Sequence, residues 1–139
     1  MTQSQLPQQM HPVLADINAL LRAADTDAVA RRIAETLSQR EACDIQVHIA
    51  DVAAGCEPDN MLVTEWQQRF DAPPIAESLH RIVVGATAPE SLPDADVTQA
   101  VAEALPKAPD GSQGLWYGST RRTELQKADL SIPIACRMN

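Results

Sequence analysis

Cys43, Cys56 and Cys136 are the thiols of this chain, and His11, His48 and His80 its imidazoles. Cysteine and histidine at short fixed spacings hold zinc or run thiol chemistry, but none of these cysteines is paired as C-x-x-C. Cys43 and Cys56 flank one strand and its loop, and with His48 they could assemble a metal or redox site. The preferred reading is reduced thiols, with Cys136 as a small hydrophobe on the apolar side of a strand. His11 falls in an N-terminal lead, His48 on the polar side of a strand, and His80 at a strand entrance. No G-x-S-x-G elbow accompanies them, so they read as solvated histidines with no catalytic assignment.

Carboxylates are plentiful and scattered. Asp51, Glu57 and Asp59 fail the alternating pattern of a calcium loop, and no dinucleotide, P-loop or zincin motif occurs. No metal and no cofactor is therefore expected.

The stretch GLWYGSTRR, Gly114 to Arg122, is different. It holds two of the four aromatics and two adjacent arginines. Trp116 and Tyr117 on a strand point to opposite faces, so one anchors the core while the other meets solvent. Arg121 and Arg122 could grip a carboxylate or phosphate beside an aromatic wall. The plainer reading is one arm of a hairpin running from Leu115 to Leu125. Trp, Tyr and Arg also concentrate binding energy at protein interfaces. Trp116, Tyr117, Arg121 and Arg122 thus form the candidate binding patch, better suited to a protein contact than to catalysis.

Composition narrows the field further. The 139 residues suffice for one domain, and 45% hydrophobic with 22% charged residues is globular composition. A net charge of −8 disfavours nucleic acid. Residues 1–106 hold 6 Lys/Arg and 16 Asp/Glu, whereas 107–139 hold 5 and 3, so only the last quarter attracts anions. No run approaches the roughly 20 apolar residues of a membrane span, and no secretory signal is visible, so a cytoplasmic location is expected.

The elements that must carry these residues follow from periodicity. Residues 1–11 read as a disordered Gln-rich lead and 12–139 as one domain. Val13, Ile17, Leu20, Leu21 and Ala24 mark one helical stripe, and Val29, Ile33 and Leu37 a second. The two are out of phase, which predicts an N-terminal helical hairpin. Ile45, Val47 and Ile49 alternate as a half-buried strand. Leu62, Trp66 and Phe70 recur as a helix capped by Asp59 or Asn60 and stopped at Pro73 and Pro74. HRIVVGA reads as a strand buried on both faces. A fourth helix starts at Asp96 with Gln99 completing a capping box and carries Val97, Val101, Ala104 and Leu105. A closing edge strand alternates Leu130, Ile132, Ile134, Cys136 and Met138 around Pro133.

The expected fold is α+β: a helical hairpin followed by βαβαββ, a small mixed sheet with helices packed on it. The expected function is that of a small non-catalytic, bacterial-type accessory or assembly protein. It would bind a protein partner or itself, with homo-oligomerisation through the C-terminal edge strand. The alternative is an anion-binding small-molecule domain or enzyme built on Trp116, Tyr117, Arg121 and Arg122. As architecture over the last third of the chain, without a specific motif, the small size and final hairpin resemble phage tail-completion proteins. That analogy implies a structural role as a further alternative.

Overall fold

In a computed structural model the described residues are 9–52, 61–74 and 76–130. They build strands β1 (Met10–Arg22), β2 (Cys43–Asp51), β3 (Glu77–Pro89) and β4 (Trp116–Arg121). Helices α1 (Thr26–Gln39), α2 (Met61–Phe70) and α3 (Asp94–Glu103) complete the fold, with short 3-10 turns at Ala23–Asp25 and Lys127–Leu130. The strands lie in the order β2-β3-β1-β4, every neighbouring pair antiparallel. Leaving out α2, which sits in the β2–β3 connection, the connectivity is the βαββαβ of ferredoxin-like domains. The chain is mixed α+β as expected, but the described residues begin with a strand, so neither the helical hairpin nor the βαβαββ order describes them.

The correction lies in β1. Val13, Ala15, Ile17, Ala19 and Leu21 are buried at period two and face α1 and α3. Leu14 and Leu20 are buried on the opposite face, so the strand is apolar on both sides. Those same residues also fit a helical stripe, and the ladders on both sides decide against it. Thirteen register pairs tie β1 to β3 and six tie it to β4, a pairing no helix could satisfy. The strand starts at Met10, so His11 belongs to the sheet rather than to a disordered lead; residues 1–8 lie outside the described residues.

The helix layer follows the sequence closely. α1 buries Val29, Ile33 and Leu37, and α3 buries Val97, Ala100, Val101 and Ala102. α3 starts at Asp94 behind Pro93, two residues before the expected cap, and no side chain caps it. Arg32 Nε donates to the Ala104 carbonyl at 3.0 Å, joining the two helices. Ile45, Val47 and Ile49 of β2 pack onto this core from the edge. The caps proposed for α2 at Asp59 or Asn60 lie outside the described residues.

On the second face of the sheet, α2 covers one end. Leu62 and Trp66 pack on Leu20, Val52, Leu79 and Leu115 as a separate apolar cluster. Burying a side chain of this size stabilises the fold by about 1.5–3 kcal/mol. The segment after β4 crosses the other end, seating Leu125 over Gly85, where an added Cβ would lie 2.9 Å from the Leu125 Cβ. Leu130, expected to open the closing strand, sits instead in the 3-10 turn beside His48, Ala50 and Val83. The rest of that expected strand, with Cys136, lies outside the described residues. No helix among the described residues is long and apolar enough to cross a membrane.

Candidate functional site

Trp116, Tyr117 and Arg121 lie on β4, an outer strand among the described residues rather than one arm of a local hairpin, and Arg122 follows just past its end. Its register with β1 sets which backbone groups are spent. Leu20 N–H donates to the Leu115 carbonyl at 3.2 Å, and in an antiparallel ladder such pairs recur every second residue. Tyr117, Ser119 and Arg121 therefore bond inward to Asn18, Asp16 and Leu14. The N–H and C=O groups of Trp116, Gly118 and Thr120 point outward from the sheet.

The side chains divide the other way. Trp116 is half-buried against the helix-side core, and Thr120 Oγ1 meets Thr98 Oγ1 of α3 at 2.7 Å. Tyr117 is 40% exposed on the second face, with Ser119 and Arg121. Adjacent aromatics thus diverge as the sequence implied. The cost of that divergence is that Trp116 and Tyr117 do not form one stacking wall.

Each arginine already holds a carboxylate. Arg122 grips Glu90 with both terminal nitrogens, at 3.3 and 3.2 Å, and His11 Nδ1 lies 3.4 Å from the same carboxylate. The guanidinium, first as hydrogen-bond donor and then as charge, holds Glu90 below its ordinary range. Arg121 reaches Asp129 at 3.4 Å, and the other Asp129 oxygen accepts the Gln126 N–H at 2.8 Å. This pair ties the crossing segment back to β4.

Sequence reasoning did not single out Arg81 and Asp16, which form the best-aligned ion pair of the second face. Arg81 donates to both Asp16 oxygens, at 3.0 and 2.8 Å, from β3 to β1. Hydrogen bonding to Asp16 raises the Arg81 pKa, and Asp129 adds a smaller attraction. Only the register brings Arg81 beside Asp16, 65 positions away, so no local pattern could have found the pair.

The other candidates are dispersed. Cys43 is an exposed free thiol, and Cys56 lies outside the described residues. His48 is exposed on β2 as expected. His80, expected to be solvated, is only 2% exposed, with its Nδ1 2.9 Å from the Ser78 carbonyl. Among the described residues no group of three His, Cys, Asp or Glu is gathered as a metal site. No family model matches the chain, and no curated protein matches it.

Proposed function

We infer that the protein is a non-catalytic accessory or assembly protein that works by contact with another protein or with a second copy of itself. The observation that carries this reading is the outer edge of β4, where Trp116, Gly118 and Thr120 present backbone donors and acceptors beside the exposed Tyr117. An edge of this kind accepts a strand from another chain through main-chain hydrogen bonds, while neighbouring side chains select the partner. Tyr117 is the anchor and Arg121 the charged flank. The arginines' existing carboxylate partners and the divergence of Trp116 from Tyr117 favour such a contact over an anion clamp.

The test is native mass spectrometry of the purified protein, alone and with captured partners, comparing wild type with Tyr117→Glu. Tyr117 faces solvent, so the variant is expected to keep its thermal midpoint while the complex is lost. A complex that survives Tyr117→Glu unchanged would remove β4 as the contact.

A further inference from the structure

Where α2 caps the sheet, a cavity of about 260 Å³ opens between the end of β1, Trp66 and the loop 106–115. It adjoins a second cavity of about 430 Å³, and Arg22, Trp66, Glu77 and Pro109 line both. The two make one cleft with an aromatic floor, for Trp66 packs on Phe70 with ring centroids 4.7 Å apart. Arg69 of α2 bonds Ser112 Oγ at 3.1 Å and the Gln113 carbonyl at 3.4 Å, which fixes the loop forming the far wall. The inner cavity is smaller than the roughly 300–1,000 Å³ typical of drug-sized ligands, which sets the scale at a small metabolite.

Four charged side chains line the inner cavity: Arg22, Asp25, Glu77 and Lys107. Arg22 and Glu77 are spent on each other at 3.0 Å. Asp25 and Lys107 are not: among the described residues neither side chain makes an ion pair within 4.0 Å or a hydrogen bond. Asp25 is unusual for its position. It stands at the N-cap of α1, where an aspartate ordinarily accepts the helix's first free N–H groups, yet it makes no such bond. The preceding 3-10 turn has already placed its backbone in the helical region, φ −94 and ψ −7, instead of the extended one a capping side chain needs. Its carboxylate is left for the cavity.

One anion and one cation, neither paired among the described residues, thus line the same small cavity, whose apolar side chains include Trp66, Leu20 and Leu115. We propose that this cleft binds a free amino acid with an aliphatic or aromatic side chain. The ligand ammonium meets Asp25, its carboxylate meets Lys107 with Arg22 alongside, and its side chain lies against Trp66, Leu20 and Leu115. A ligand of single charge would satisfy only one of the two groups, and a doubly anionic one would face Asp25 and Glu77. This site is independent of the β4 contact and goes beyond it.

The experiment is calorimetric titration of the full chain with leucine and phenylalanine, with intrinsic tryptophan fluorescence as second readout. N-acetyl-leucine, lacking the ammonium, and leucinamide, lacking the carboxylate, are the controls. Saturable binding with a Kd of about 1 mM or tighter is expected, weakened about tenfold or more by blocking either end. Asp25→Asn and Lys107→Gln should each weaken it similarly while circular dichroism melting stays unchanged, since the Asp25 side chain makes no capping bond that asparagine could lose. Trp66→Phe should abolish the fluorescence response while Trp116 still emits. Silence from both amino acids up to about 10 mM, ten times the expected upper Kd, would overturn the proposal. So would equal binding of a blocked form, because that would mark recognition of a peptide terminus instead.

Discussion

Replacing Gly118 by alanine should release β4 from the sheet. Gly118 has φ +155, a conformation that side-chain-bearing residues rarely adopt, and it lies directly opposite Ile17. A Cβ there would run into the Asp16 carbonyl oxygen and would lie 2.6 Å from the Ile17 Cα. Both are backbone atoms of the central strand, locked on their other side to β3, so they cannot retreat as a flexible side chain would. Overpacking costs about 1–3 kcal/mol and a strained backbone about 1–3 more, so a loss of about 3 kcal/mol is expected after partial relaxation. That is a large share of the roughly 5–15 kcal/mol that holds a domain of this kind. At this chain length it corresponds to a drop of about 12 °C in the thermal midpoint. The matched control is Gly111→Ala, where φ is +85 but nothing lies within 4 Å of the added Cβ. It carries only the conformational cost, about 1–2 kcal/mol. Urea unfolding of the three proteins side by side is the assay. If Gly118→Ala costs no more than Gly111→Ala, close approach of β4 to β1 is not what requires the glycine.

Two further perturbations report on the segment that follows β4. Gly85→Ala should push Leu125 off the sheet, because the new Cβ would sit 2.9 Å from the Leu125 Cβ. Amide exchange across 123–130 should rise severalfold, with β1 and β3 amides little changed, and unchanged exchange there would mean Leu125 is not what holds the segment. Glu90 is held below its ordinary value of 4.5 by Arg122, so its folded carboxyl titrates below its unfolded one. The stability this supplies is present above the unfolded pKa and is lost as pH falls through the folded pKa. Thermal melts of Arg122→Met and wild type should therefore differ near neutrality and converge in acid, and a gap independent of pH would refute the linkage.

The sequence by itself determined the elements whose pattern admits one period. In α1, Val29, Ile33 and Leu37 recur at helical spacing, and the structure buries all three. In β2, Ile45, Val47 and Ile49 alternate with Gln46 and His48, as a strand with one packed face requires. The continuous run around Val83 and Val84 belongs to β3, buried on both faces because it lies inside the sheet. The opposite facing of Trp116 and Tyr117 was also legible, since it follows from strand geometry alone.

What only the tertiary structure decided is everything that depends on neighbours distant in sequence. The residues from Val13 to Leu21 satisfy a helical stripe and a two-sided strand equally well, and β3 and β4 settle the matter by supplying hydrogen-bond partners on both sides. The partners of the arginines are of the same kind. Arg121 and Arg122 looked like one clamp because they are adjacent, yet Arg121 ends β4 while Arg122 lies just past it, and each meets a carboxylate brought by another part of the chain. Asp25 and Lys107 share a cavity although 82 positions separate them in the sequence. Periodicity encodes which side of an element is apolar. The identity of what lies against that side is set by register and chain crossing, which no local pattern carries.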